Sequence, residues 1–194
     1  MVPPSVLPKE FYSKSPETVA RDLLGKRLVR ILDGERLEGV VVETEAYRGL
    51  GDPASRAFYG LKNYNAMMWD EPGRLFVYNV HKYWMLNVIA HVPEDVGGIL
   101  FRSIEPTMGL GTMRRLRSVE DDRELTSGPG KLSVALGVTR ELNGFTITDP
   151  DSSIHILDAP YVINYCTSHR IGVTKDLSEE LRFYIPGNKF VSRG

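Results

Sequence analysis

The sequence predicts a single α+β domain, built on a mostly antiparallel β-sheet with a few short helices. Most segments with a regular pattern are short and rich in β-branched or aromatic residues, and only three have the pattern of a helix. A tight turn at Asp33-Gly34 joins two of the extended segments into a hairpin, as expected for antiparallel neighbours. No repeat or shift in composition divides residues 1–194, which are therefore expected to form one domain.

The opening helix is the best defined of the three. Ser15 is suited to cap it, Pro16 to occupy its first turn and Gly25 to end it. The other two helical patterns cover residues 112–117 and residues 131–136.

The extended segments are spread over the rest of the chain. The first hairpin comprises residues 26–32 and 36–47, and further β segments cover residues 74–89 and 99–104. Residues 49–73 are irregular but contain large apolar side chains, so an ordered loop is expected there. Four shorter runs are also predicted to be strands: residues 145–147, 154–157, 161–165 and 181–185.

Composition restricts the class of protein. Hydrophobic residues make up 42% of the chain and charged residues 25%, which is ordinary for a folded globule. No apolar run approaches the length of a transmembrane helix, and residues 1–5 lack the pattern of a signal peptide. With only one cysteine, Cys166, an intracellular protein is expected. The net charge of −1 excludes a uniformly basic surface.

Several common cofactor motifs are incomplete in this sequence. Residues 109–114 (GLGTMR) lack the third glycine of a dinucleotide-binding turn, and residues 128–132 (GPGKL) lack two features of a phosphate-binding loop. The histidines are dispersed, and Cys166 with His169 would form at most half of a zinc site. Neither a cofactor nor a metal is therefore expected.

The most informative segment is the extended run at residues 40–47 (VVVETEAY). In a regular strand, alternation places Glu43, Glu45 and Tyr47 on one face. Two carboxylates at this spacing lie roughly 7 Å apart, which leaves room for a water that one of them could deprotonate. The alternative is that arginines pair with both glutamates and that the cluster is structural. On spacing alone, the structural interpretation is favoured.

The same segment carries a resemblance to a known family. Residues 42–47 (VETEAY) closely resemble the central motif of the alkyladenine (3-methyladenine) DNA glycosylases. The resemblance extends over nearly the whole chain, from about residue 23 to residue 191. Further segments resemble that family's motifs in the same order: residues 74–78 (RLFVY), 86–88 (LNV), 100–106 (LFRSIEP), 109–113 (GLGTM), 122–132 (DRELTSGPGKL), 170–173 (RIGV) and 181–184 (LRFY).

The resemblance implies a curved antiparallel sheet and a monofunctional DNA glycosylase. Enzymes of this family flip an alkylated or deaminated purine out of double-stranded DNA and hydrolyse its N-glycosidic bond, which initiates base excision repair. The implied partner is duplex DNA with damaged purines, bound by a monomer in the cytoplasm and nucleoid or in the nucleus. A glycosylase that also cuts the backbone needs an amine nucleophile in its pocket, and the matched motifs are expected to place none there.

The family motifs also imply roles for individual residues. Glu45 matches the glutamate that deprotonates the attacking water, and Arg102 matches an arginine that positions this water. Pairing of Arg102 with the strand glutamates is a compatible structural role. Tyr47 and Tyr78 match the aromatic walls that stack on the flipped base. Asn87 matches an asparagine that crowds the amino group of normal guanine, although an asparagine in an apolar run is more often a buried hydrogen-bond anchor.

Two positions depart from the family pattern. Arg56 stands where the family usually has a histidine that touches both base and phosphate, and an arginine cannot accept a hydrogen bond from a base. A different substrate preference is therefore expected. Near residues 80–82, the family has a tyrosine that fills the gap left by the flipped nucleotide. His81 is the candidate for this wedge, and Lys82 bound to a phosphate is the alternative.

DNA binding by a chain of net charge −1 requires a local basic patch. Lys131 starts a predicted helix and matches a family residue, so it is expected to contact phosphate. Arg114 and Arg115 crowd another predicted helix and are further candidates, with a solvated helix face as the alternative. A non-catalytic nucleic-acid-binding module that retains the fold is the competing function, and the retained Glu45 favours an enzyme.

Overall fold

The computed structural model describes residues 5–193, which form one antiparallel sheet of eight strands with short helices around it. Of residues 1–5, in which no signal peptide is predicted, only Ser5 is among the described residues. The strands are β1 (Arg27–Leu32), β2 (Glu35–Tyr47), β3 (Leu75–Val80), β4 (Tyr83–Ile89), β5 (Gly98–Met108), β6 (Ile154–Leu157), β7 (Cys166–Ser168) and β8 (Arg182–Tyr184). The helices are α1 (Lys9–Tyr12), α2 (Pro16–Asp22), α3 (Leu110–Arg117), α4 (Arg123–Thr126) and α5 (Pro129–Ala135), with 3₁₀ turns at Ala66–Trp69 and Arg140–Leu142.

Strand β2 organises the sheet. The main strand order is β3-β4-β5-β2-β1-β6, and β8 joins β2 to β7. One edge of β2 pairs with β5, while the other edge pairs first with β1 and then, over residues 43–45, with β8. Irregular pairing with β5 near Glu43 interrupts the ladder, and such irregularities bend a strand. The prediction of an α+β fold on a curved antiparallel sheet is confirmed.

Local sequence signals account for the first helix and the first hairpin. Ser15 caps α2 by accepting a hydrogen bond from the amide of Thr18, and Gly25 follows the helix with a φ of +82°. Asp33 and Gly34 have φ values of 51° and 81°, the left-handed conformation that a two-residue hairpin turn requires. The positions of this helix and hairpin are confirmed.

The hydrophobic core fixes the helices that surround the site. Helix α2 packs on β2, and α5 packs on β4 and β5. In α5, Leu132 and Ala135 are fully buried, so the helix start is held next to the middle of the sheet. Helices of this length have little stability of their own and depend on such packing. Every helix in the described range is too short to span a bilayer.

The single β segment predicted at residues 74–89 is two strands. A two-residue turn at His81 and Lys82 separates β3 from β4, and His81 adopts a φ of 53°. The turn contains no glycine, proline, asparagine or aspartate, which are the residues that mark turns in a sequence. The hairpin was therefore not recognisable from the pattern of this segment.

Two of the short predicted strands are wrong. Residues 145–147 contribute only one isolated bridge, from Thr146 to Arg74. Residues 161–165 form no strand, and Ile163 in their centre is 94% exposed. Their apolar and aromatic side chains imitate a strand pattern, but no neighbouring strand pairs with them. The chain instead enters the sheet directly afterwards, at β7.

The irregular segment between β2 and β3 is ordered, as predicted. Ala57 and Met68 from this segment pack with Phe76, Ile89 and Val96 in a small second hydrophobic cluster. This packing holds the loop against β3 and β4, and it fixes the position of the residues that the loop presents to the site.

Candidate active site

A cavity of about 1000 Å³ opens beside the end of β2. The loop after β2, the β3–β4 hairpin, the start of α5 and residues 171–175 surround it. A cavity of this size is at the upper end of the range for small-molecule sites. Its wall is rich in aromatic and basic side chains: Tyr47, Phe58, Tyr59, Tyr78, Tyr83, Arg56, His81, Arg102, Lys131 and Lys175.

Glu43 and Glu45 of β2 are fully buried behind the cavity wall, and neither side chain lines the cavity. Arg102, on the neighbouring strand β5, connects them: its Nε lies 2.8 Å from Oε1 of Glu43, and its Nη1 lies 3.1 Å from Oε1 of Glu45. The two carboxylates share one environment, as strand alternation predicted. Arg102 bridges the two carboxylates, and the water expected beside them stays a prediction.

Glu43 is held by donors on every side. Its Oε1 accepts hydrogen bonds from Arg102, from Nε of Arg182 at 2.7 Å and from Oγ of Ser192 at 2.8 Å. Its Oε2 accepts one from the Ser192 amide at 2.7 Å. Three of these four hydrogen bonds come from Arg182 and Ser192, which do not line the cavity. The geometry fits a structural role, in which Glu43 binds β5, β8 and the C-terminal segment together.

Glu45 has fewer protein partners, and they all line the cavity. Oε1 accepts a hydrogen bond from the Ile171 amide at 2.8 Å and lies near Arg102, while Oε2 accepts one from the Tyr47 hydroxyl at 2.7 Å. The Glu45 side chain is itself fully buried and lies directly behind these three residues. One acceptor position, on Oε2, has no donor among the described residues.

Tyr47 and Tyr78 are the aromatic walls nearest this carboxylate. Burial raises the pKa of Tyr47 well above its usual range, and the adjacent Glu45 adds to the effect, so its hydroxyl stays protonated and donates to Glu45. Burial also raises the pKa of Tyr78, although Arg56 opposes the shift. The Arg56 guanidinium lies 4.5 Å from the centroid of the Tyr78 ring. The structure therefore brings both tyrosines and Arg56 to the same cavity.

Comparison with known proteins identifies the family of this chain. A family model described as "Methylpurine-DNA glycosylase (MPG)" matches residues 10–189. The chain belongs to the methylpurine-DNA glycosylase family.

Curated relatives agree over almost their whole length. The protein named "Putative 3-methyladenine DNA glycosylase" in Aeropyrum pernix is 38% identical to this chain over 193 residues. The match covers 97% of this chain and 93% of the relative. The protein of that name in Rhodopseudomonas palustris strain BisB18 is 40% identical over 189 residues, covering 96% and 90%. The one in Clostridium perfringens strain 13 is 38% identical over 205 residues, covering 96% and 98%. The resemblance recognised from the motifs is confirmed, and the family consists of DNA glycosylases, which are N-glycosyl hydrolases of DNA repair.

Asn87 lies behind the wall of the methylpurine-DNA glycosylase cavity and does not line it. Its amide nitrogen donates to the carbonyl of Phe76 at 3.0 Å and to that of Met85 at 3.2 Å. This is the buried hydrogen-bond anchor that the sequence left open as the alternative. A direct contact of Asn87 with a base is not supported by this geometry.

The candidate wedge is at the rim of the cavity. His81 lies at the exposed tip of the β3–β4 hairpin and lines the cavity, whereas Lys82 lies beside it, outside the lining, with its ammonium 5.3 Å from the Tyr83 ring centroid. His81 holds its left-handed backbone conformation without being glycine, and such outliers often mark functional positions. The roles of both residues stay predictions.

The basic residues predicted to bind DNA are in two places. Lys131 lines the cavity and pairs with Glu124. Arg114 and Arg115 lie on α3, outside the cavity wall, where Arg114 pairs with Asp122 and Arg115 lies 3.7 Å from Glu35. The structure does not bring these two arginines to the site, and acidic neighbours offset their charge.

Two more predictions concern reactive side chains: the lysines of the pocket, and the half zinc site of Cys166 and His169. The matched motifs were expected to place no lysine in the pocket, and this is wrong for Lys131, which lines it together with Lys175 from outside those motifs. Cys166 and His169 gain no further ligands: within residues 5–193, no three histidine, cysteine or acidic side chains cluster as a metal site would require.

Sequence reasoning missed residues that are distant in the sequence but hold Glu43, Glu45 and Tyr47 in place. Ile171 and Arg170 belong to a family-like segment (RIGV), but nothing local in it indicates that it meets β2. Arg170 stacks on Tyr47, with its guanidinium carbon 4.6 Å from the ring centroid. Arg182 and Ser192 were missed for the same reason, since their contacts with Glu43 span 139 and 149 residues of chain.

Proposed function

We propose that this glycosylase flips a damaged purine out of duplex DNA into the cavity, and that Glu45 activates the water that cleaves its bond to the sugar. The observation that carries the proposal is the difference between the two buried glutamates. Glu43 is bonded mainly to Arg182 and Ser192, which do not line the cavity, while Glu45 is bonded only to cavity-lining residues and keeps an acceptor position on Oε2. A water that donates to this position would be aligned for attack at C1′ of the sugar.

The surrounding charges suit the proposed chemistry. Departure of an electron-poor purine builds positive charge on the sugar, and a carboxylate close to that sugar stabilises it. Arg102 and the Ile171 amide fix the Glu45 carboxylate before the substrate arrives, so little reorganisation is needed during the reaction. Tyr47 and Tyr78 provide aromatic surfaces for stacking, which is worth about 1–3 kcal/mol per base and tolerates different purines.

The proposal also covers which damaged purines are released, the oligomeric state of the enzyme and its contacts with DNA. Alkylated and deaminated purines both fit a pocket that binds mainly by stacking, and a damaged or mispaired base costs less to flip. The enzyme is proposed to act as a monomer, in the compartment that holds the DNA. His81 at the rim is proposed to fill the gap in the base stack, with Lys131 on the phosphate backbone.

The decisive experiment replaces each buried glutamate in turn. Glu45→Gln should slow single-turnover base release by about 100-fold or more, because it removes the general base. Its affinity for duplex DNA with a stable abasic analogue should stay close to that of the wild type. Glu43→Gln is the matched control, and it should lower the midpoint of urea unfolding, because it breaks a buried ion network.

The assay uses oligonucleotides that each carry one lesion, hypoxanthine or a methylated purine. Strand cleavage that appears only after hot alkali would mean base excision without backbone cutting, and borohydride should trap no covalent complex with Lys131 or Lys175. Wild-type release by Glu45→Gln would remove Glu45 from the proposed role. A wild-type protein that binds these duplexes but releases no base would favour the non-catalytic binding module.

A further inference from the structure

We propose that Arg170 is a positioning residue for the reaction, which it serves through a buried clamp formed with Asp52 and Asp176. The clamp holds the Ile171 amide on Glu45 and supports the Tyr47 ring from behind. This inference rests on the proposed role of Glu45 and extends it to residues outside the family's central motif.

All five N–H donors of the Arg170 guanidinium are used. The Nη1 and Nη2 groups bond to the two carboxylate oxygens of Asp52 at 2.6 and 2.7 Å. The Nε and Nη2 groups bond to Oδ1 of Asp176, and Nη1 also bonds to the carbonyl of Ala46 at 2.9 Å. The side chains of Arg170 and Asp52 are fully buried. Such a planar fork with fixed partners allows the guanidinium only one orientation.

The clamp joins three parts of the chain that meet at Glu45. Ala46 follows Glu45 in β2, and Asp52 lies in the loop that carries Arg56 to the cavity. Asp52 also accepts hydrogen bonds from the amides of Arg48 and Ala54, so it fixes the course of that loop. Since Ile171 follows Arg170 directly, fixing the Arg170 backbone also fixes the amide that donates to Glu45.

The clamp also acts on the aromatic wall. The Arg170 guanidinium carbon lies 4.6 Å from the Tyr47 ring centroid, and it therefore covers one face of the ring. One face of Tyr47 is left for a base, while the hydroxyl remains on Glu45. Rotation of Tyr47 would thus disturb the base-binding surface and the carboxylate together.

Stability alone is a weak explanation for this cluster. Burying charged groups costs solvation free energy that their attraction recovers only in part. Two carboxylates for one guanidinium also leave the cluster with a net negative charge beside the buried Glu45. An arrangement of this kind is better explained by the geometry that it imposes on Ile171 and Tyr47.

Asp176 is the part of the clamp that can be removed selectively, because its side chain is 17% exposed and the Arg170–Asp52 pair stays intact without it. Asp176→Ala should slow single-turnover base release by about tenfold, since small displacements of reacting groups have effects of this order. Affinity for duplex DNA with an abasic analogue should stay within about twofold, which separates chemistry from binding. Asp176→Asn keeps the acceptor oxygen and should recover most of the rate.

Glu180→Ala is the matched control, because it removes the same charge from the same segment, and within residues 5–193 its side chain is hydrogen-bonded only to Thr167. It should release bases at the wild-type rate. The inference is overturned if Asp176→Ala keeps the wild-type rate, or if its rate falls only in proportion to its DNA affinity or folded fraction. If Asp176→Ala does not fold, a wild-type rate in folded Arg170→Lys, which cannot form the fork, would overturn it.

The assay separates this inference from the one it rests on. If Glu45→Gln is inactive while Asp176→Ala is unimpaired, only the clamp is wrong. If Glu45→Gln releases bases at the wild-type rate, the proposed function fails and the clamp fails with it.

Discussion

At the scale of single residues, identical side chains in this site are distinguished by their partners. Glu43 and Glu45 are two residues apart, equally buried and both in contact with Arg102. Glu43 is also paired with Arg182 and bonded twice to Ser192, whereas Glu45 is bonded to the walls of the cavity. The number and position of donors, and not the type of residue, distinguish Glu43 from Glu45, the proposed general base.

Arg56 leads to a prediction about substrate preference at this scale. Its guanidinium places a positive charge on the Tyr78 wall, where it opposes the binding of a cationic methylated purine more than that of neutral hypoxanthine. Arg56→His should therefore raise the release rate of 7-methylguanine relative to hypoxanthine by about tenfold. The ratio is measured in single turnovers at about pH 8, where histidine is mostly neutral. An unchanged ratio would show that Arg56 does not face the bound base.

At the scale of elements, β2 and the β3–β4 hairpin build the site by different means. Strand β2 aligns Glu43, Glu45 and Tyr47 through strand alternation, which is encoded locally. The hairpin contributes Tyr78 from a strand and His81 from the tip. Its two-residue turn is strained at His81, because a side chain there has a φ of 53°. A non-glycine residue keeps this strained conformation at the cavity rim. This suggests that His81 is retained for its side chain and not because the turn requires it.

The hairpin tip gives a prediction in which stability and function change in opposite directions. His81→Gly should leave the free energy of unfolding unchanged or raise it by up to about 1 kcal/mol, because glycine adopts positive φ without strain. It should also slow base release from duplex DNA, since the wedge is lost, and affect a single-stranded substrate less. Both are measured by urea unfolding and single-turnover assays.

Lys82→Ala is the control on the same turn. If Lys82 binds a phosphate, its loss should reduce DNA affinity and the salt dependence of binding, with little effect on release from the bound complex. A wild-type rate of duplex repair by His81→Gly would instead exclude His81 as the wedge.

At the scale of the whole molecule, charge is distributed so that a chain of net charge −1 still presents basic groups to DNA. Arg56, His81, Lys131 and Lys175 meet at one cavity. Of these, Lys131 is offset by Glu124, whereas Lys175 forms no salt bridge with any of the described residues. This cluster of basic groups favours contact with DNA at the cavity rim.

This distribution of charge predicts that replacing Lys131 and replacing its partner Glu124 change DNA affinity in opposite directions. Lys131→Gln should weaken binding to all duplexes and reduce the slope of log affinity against log salt by about one. Glu124→Gln releases Lys131 from its partner and should strengthen binding. Arg115→Gln, on α3, is the control for charge loss away from the cavity. Equal losses for Lys131→Gln and Arg115→Gln would mean that the DNA footprint extends over α3.

The sequence by itself determined the features whose cause is local. The Ser15 cap, the Asp33-Gly34 turn and the alternation of residues 43–47 each depend on a few consecutive residues, and each is present in the structure. The family motifs added the identity of the enzyme class and the candidates Glu45, Tyr47 and Tyr78. Backbone preferences and side-chain periodicity act over short distances, so a linear pattern is enough to reveal them.

Only the tertiary structure decided which groups surround each of the two glutamates and how their partners differ. The Ile171 amide reaches Glu45 across 126 residues, and Arg170 reaches Asp52 across 118. Such contacts follow from strand order, which no local pattern in this chain encodes, because β8 joins β2 from the far end of the sequence. For the same reason, only the folded chain shows that Lys175 lines the cavity and that Arg114 and Arg115 lie away from it.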